Sequence, residues 1–123
     1  MENPDGINSI YQGSPPRLEG VHIHEVGLSR EGPLLRVRFD LPDYPAHAPR
    51  AWQLQGFNTV QVELGFGGLR GVEISGFSTH VVGDIALVKD ETVQASISSN
   101  ETSVRAVADI VYVTKMTAYL NGR

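Results

Sequence analysis

Two histidines two residues apart, His22 and His24, are the first groups in the chain whose spacing chemistry could use. On a strand they point to the same side and can share a metal ion. A zinc site needs a third and usually a fourth ligand. The chain has no cysteine, and its other two histidines, His47 and His80, fall in separate loop segments. The pair therefore reads as two surface or half-buried groups on an edge strand, and no metal or cofactor is expected. Glu63 and Glu73 form a second candidate, because paired carboxylates carry acid–base and glycosidic chemistry. A flat outer sheet face offers no cleft to desolvate them, so they read as solvated groups open to a partner. The run GFGGLRG, residues 65–71, has the glycine density of a dinucleotide loop. That fingerprint requires a helix after the glycines, and here a strand follows. No P-loop, nucleophile elbow or HExxH pattern occurs, and nothing specifies a Ser–His geometry. No catalytic residue is expected, and the protein reads as a non-enzyme.

Recognition is the other chemistry on offer. Tyr44, Trp52 and Phe57 flank a loop with three prolines, Pro42 to Ala51. Aromatic residues are enriched at binding hot spots, yet Trp52 and Phe57 are expected first to cap the core. Tyr44, His47, Arg50 and Trp52 make one candidate contact surface. Glu63, Arg70 and Glu73 make the other.

These groups must be carried by strands. From Asn58 to Phe77, Val60, Val62, Leu64 and Phe66 alternate with polar or small residues, and Val72 and Ile74 alternate after Gly67-Gly68. Period two marks a strand with one buried face, and the stretch reads as a β-hairpin. A two-residue loop would set Val62 against Glu73. A three-residue loop, Gly67-Gly68-Leu69, sets Leu64 against Val72 and Val62 against Ile74, which keeps one face apolar. That register places Glu63 opposite Glu73 on the outer face.

Elsewhere, Gly20 to Ser29 is the first strand, with a bulge near His24-Glu25 needed to bring Val21, Ile23, Val26 and Leu28 to one side. Arg30-Glu31-Gly32 turns, and Leu35, Val37, Phe39 and Leu41 form a one-faced strand. Trp52-Gln53-Leu54 is a short strand or the lip of the core. Ser78-Thr79 connects to a strand over Val81 to Val88 that Gly83-Asp84 interrupts. Lys89-Asp90 turns into the strand of Val93, Ala95 and Ile97, and Ser99-Asn100-Glu101 turns again. Ser103 to Leu120 begins as a strand covered on both faces, with Asp109 marking a bend. At the N-terminus, Ile7, Ile10 and Tyr11 have helical spacing, and Ser14-Pro15-Pro16 ends any helix. Asn121 to Arg123 are expected to be free. The expected fold is mostly β: an antiparallel sandwich or strongly bent sheet of seven or eight strands, with at most a short N-terminal helix.

At 123 residues the chain reads as a single domain, with residues 1–17 a connector and 18–120 the β core. The net charge of −4 argues against nucleic acid as a partner. No apolar run is long enough to span a bilayer, and MENPDGINSIYQG lacks the basic and apolar regions of a signal peptide. The absence of cysteine fits a reducing cytoplasm. Asn100-Glu101-Thr102 matches a glycosylation acceptor, which carries no meaning without secretion.

Several of these residues together resemble the immunity protein 50 family of bacterial polymorphic toxin systems. They are Ser14-Pro-Pro-x-Leu18, His22-Ile-x-Glu-Val26-x-Leu28 with Gly32, and Leu35-x-Val37-x-Phe39. Trp52 in its proline-rich loop, Asn58-Thr-Val-x-Val62-x-Leu64 and Val72-x-Ile74-x-Gly76-Phe77 complete the pattern. The resemblance runs from about Leu18 to Val113. It implies a mostly-β cytoplasmic protein that binds and neutralises a cognate toxin, and it carries no catalytic motif. An acidic binder is steered toward a basic toxin. The rival expectations are a small-molecule or carbohydrate-binding β domain with Trp52 over a concave face, and a metal-dependent enzyme using His22 and His24.

Overall fold

A computed structural model describes residues 18–46, 48–77 and 81–121. The expected helix at Ile7 to Tyr11, the Ser14-Pro15-Pro16 connector, Ser78-Thr79, His47 and His80 lie outside the described residues. In chain order the elements are β1 (Val21–Ser29), β2 (Leu34–Asp40), α1 (Arg50–Gln55), β3 (Thr59–Gly67), β4 (Gly71–Ser75), β5 (Val81–Lys89), β6 (Val93–Ser99), β7 (Ser103–Ala108) and β8 (Ile110–Tyr119). The strands form one antiparallel eight-stranded sheet in the order β4-β7-β6-β5-β1-β2-β3-β8, as the strand count and alternation predict. No described helix is long and apolar enough to cross a membrane.

The sheet folds back on its own apolar face. Leu35, Val37, Leu64 and Phe66 from one half line the same small space as Ile85, Ala95, Ile97, Val104 and Ala106 from the other. That space is about 10 Å³, no more than a single water needs, and the buried residues of both halves form one core cluster. The fold line is β1, whose contact with β5 is short and pairs Val21–Ile23 with Val81–Gly83. Beyond it, His24 is an extra residue with no opposite number on β2. This is the expected bulge. It returns Val26 to the core side, opposite Val37, although Leu28 remains 55% exposed.

The stretch from Asn58 to Phe77 is not a hairpin. β3 pairs with β2 on one side and β8 on the other, while β4 pairs with β7 at the opposite end of the sheet order. β3 and β4 are two arms of one bent strand, and β7 and β8 are the two arms of its antiparallel neighbour. The bend is tied where they cross. Asp109 N donates to Gly67 O at 3.0 Å, and Arg70 N donates to Val107 O at 2.7 Å. Gly68 has φ +62°, and a side chain there would collide with the Asp109 carboxylate, so a glycine is required for both backbone and space. Strands that change layers through such bends make the corners of folded-over sheets.

Four smaller expectations also change. The proline-rich loop runs into α1, which starts after Pro49 and stops at Gly56 (φ 70°), with Gly56 and Phe57 N–H groups bonded to Gln53 O and Trp52 O. Proline at the start and left-handed glycine at the end are the helix signals there. β5 runs unbroken through Gly83-Asp84. β7 and β8 are not covered on both faces, since Val107 and Ile110 are 37% and 41% exposed. Asn121 is pinned, donating to Asn58 Oδ1 at 2.8 Å and accepting from Asn58 Nδ2 at 2.9 Å.

Candidate partner-binding site

The aromatic loop is a packed lid. Tyr44 and Trp52 are half-buried against the core with ring centroids 6.5 Å apart and planes tilted by 44°. Gln53 Nε2 donates to Ala48 O at 2.6 Å and holds α1 against the loop. The Tyr44 hydroxyl is buried without a hydrogen-bond partner among the described residues. Arg50, Ala51, Gln53, Leu54 and Gln55 of α1 are exposed, with Leu54 its one large apolar group at the surface.

The second predicted surface is divided by the fold. Glu63 lies on the outer face of β3 between Arg38 of β2 and Lys115 of β8, and accepts a hydrogen bond of 2.5 Å from Thr114 Oγ1. Arg70 sits at the bend, where its Nε donates to Asp109 Oδ1 at 2.7 Å. Glu73 is on β4, opposite Arg105 of β7. The expected pairing of Glu63 with Glu73 does not exist. The reason is electrostatic as well as topological: a hairpin would oppose two carboxylates, whereas this pairing sets each one against a cation.

Glu73 instead borders a groove of about 640 Å³ on the outer face of the β4, β7, β6 and β5 half. Register explains its shape. Across these strands, Glu73, Arg105, Ser96 and Ala86 fall in one row, and Gly71, Val107, Gln94 and Val88 in the next. The small residues Gly71, Ser96 and Ala86 leave the sheet surface low beside Arg105 and Gln94, and Val88, 59% exposed, supplies an apolar wall. The groove is open and amphipathic, suited to a protein surface rather than to enclosing a small molecule.

A polar network not anticipated from the sequence crosses the other half. Asp40 is 4% exposed. It accepts from His24 Nε2 at 2.7 Å, from the Tyr119 hydroxyl on the same oxygen, and from Gln61 Nε2 at 3.3 Å. A carboxylate can only accept, so His24 carries its proton on Nε2. Gln61 Oε1 in turn accepts from Arg38 Nη1 at 3.3 Å, and Arg38 lies 3.9 Å from Glu25. The network staples β1, β2, β3 and β8 together. Among the described residues no group of three His, Asp or Glu side chains could hold a metal ion, and His24 is committed to Asp40. The available signal was the bulge at His24 together with the lone acid, Asp40, at an outer position of β2.

No curated protein and no solved structure matches the chain. The model of the immunity protein 50 family matches residues 3–119. With a match over nearly its whole length, the chain belongs to the immunity protein 50 family.

Proposed function

We propose that this protein is a non-enzymatic immunity protein that binds a cognate bacterial toxin domain in the cytoplasm and neutralises it by covering its working surface. Family membership over residues 3–119 carries this reading. The groove bordered by Glu73 is the leading contact surface, because it is concave, amphipathic and flanked by exposed apolar side chains. Arg50 on α1 and Arg70 at the bend are secondary contacts. Tyr44 and Trp52 pack against the core and hold the loop in place, with His47 in the same loop. Glu63 belongs to a separate face. The mildly acidic chain favours a basic partner protein over nucleic acid or membrane.

Co-expression with the toxin domain encoded in the adjoining reading frame tests the proposal. Growth of the host is restored, and the two chains co-purify in fixed stoichiometry. Continued toxicity without a complex would show that this partner assignment is wrong.

A further inference from the structure

We propose that the toxin contributes an extended segment that adds to the open edge of β4, with a basic side chain set against Glu73. This rests on the toxin-binding reading above and specifies how that surface is used.

The sheet has two edges, and they are built differently. β8 carries an extra residue, Thr114, out of register with β3, followed by Lys115. A bulge and a lysine are the usual means by which an edge is closed to further pairing. β4 has neither. Its sequence, Gly71-Val72-Glu73-Ile74-Ser75, is free of lysine and proline, and it pairs without irregularity along its whole length. Among the described residues its one hydrogen-bonded neighbour is β7. Among the described residues no strand pairs with the far side of β4, which leaves its backbone donors and acceptors as a template for strand addition.

Side chains define what fits. On the inner side Ile74 is 45% exposed, and just beyond the strand Phe77 is 51% exposed. An added strand with apolar residues on that side would cover Ile74. On the outer side Glu73 has Arg105 on one flank and, among the described residues, no paired strand on the other. A Lys or Arg directly across fits that flank. The same outward residues would reach toward the groove, which begins at Gly71, Val72 and Glu73. The matching segment alternates apolar and polar residues around a central Lys or Arg.

A second copy of this chain fits less well. Antiparallel pairing of two β4 strands centred on Glu73 opposes two carboxylates. A shift of one residue sets Glu73 against Val72 or Ile74 and inverts the faces. A shift of two leaves only Gly71 to Glu73, or Glu73 to Ser75, paired. Charge thus selects a basic partner strand over self-association.

Hydrogen exchange of the chain alone and bound to the toxin domain from the adjoining reading frame tests this. Exchange at residues 71–75 should slow by about tenfold or more in the complex, while residues 110–119 stay unchanged. Glu73→Lys and Ile74→Lys should each weaken binding by about tenfold, with Thr117→Lys on the other edge neutral. Circular dichroism and thermal melts establish that the variants remain folded. A complex in which residues 71–75 gain no protection, or 110–119 gain it instead, overturns the edge proposal and leaves toxin binding standing. Absence of any complex overturns toxin binding and the edge proposal together. A dimer of the chain alone that protects 71–75 overturns the choice of a foreign strand.

Discussion

Glu73 stands directly opposite Arg105 on the β4–β7 ladder, and among the described residues no strand pairs with its other flank. This one pairing places β4 at an end of the sheet and gives the groove its mixed charge. It also separates Glu73 from Glu63, which has its own cations in Arg38 and Lys115. Opposite charges directly across a ladder contribute about 0.2–1 kcal/mol, and like charges cost as much.

Swapping the pair is therefore informative. Arg105→Glu should destabilise the fold by up to about 1 kcal/mol by opposing two carboxylates, and adding Glu73→Arg should recover most of that loss. Urea unfolding of the two single variants and the double variant measures it. Simple additivity of the two changes would show that the residues do not interact.

Gly68 and Gly71 make a matched comparison. Gly68→Ala meets both a left-handed backbone and the Asp109 carboxylate, so a loss of about 1–3 kcal/mol is expected. Gly71 has ordinary backbone geometry and open space around it, and Gly71→Ala should fall within about 0.5 kcal/mol of the parent. Equal effects in denaturant melts would mean that the bend at Gly68 does not constrain the chain.

Asp40 receives hydrogen bonds from three side chains while almost wholly buried. Asp40→Ala strands those donors and should cost about 2–3 kcal/mol, whereas Tyr119→Phe should cost about 1 kcal/mol. A double-mutant cycle between the two should return a coupling of about 1 kcal/mol. Zero coupling would remove Tyr119 from the network.

Trp52 and Arg50 lie on the same short helix with different duties. Trp52→Ala should lower stability by roughly 2 kcal/mol, less than for a fully buried tryptophan, because Trp52 is only partly buried. Arg50→Ala should leave stability within about 0.5 kcal/mol and weaken the toxin complex. Thermal melts together with titration calorimetry separate the two effects. An unchanged affinity for Arg50→Ala would take α1 out of the contact surface.

Most strand positions and their buried faces were readable from alternation. Leu35, Val37 and Phe39, then Val60, Val62, Leu64 and Phe66, and Val93, Ala95 and Ile97 are buried as their period-two spacing requires. The bulge at His24 was also readable, because two parities within one strand cannot otherwise share a face. The bend at Asp109 and the left-handed glycine within Gly67-Gly68 were legible as irregularities. What they connect was not. A glycine bend between two alternating runs has the same local signature in a hairpin and in a strand that changes layers, because alternation specifies a face and not a neighbour. The choice was made by contacts distant in sequence: β8 occupies the free side of β3, Arg105 meets Glu73, and Asp109 closes over Gly68. The Asp40 network was hidden for the same reason, since its members come from four strands spread between His24 and Tyr119. Local periodicity thus determined which side of most strands faces inward. Only the tertiary structure decided which strands are neighbours, and with that which strands end the sheet, because neighbours are chosen by contacts distant in sequence.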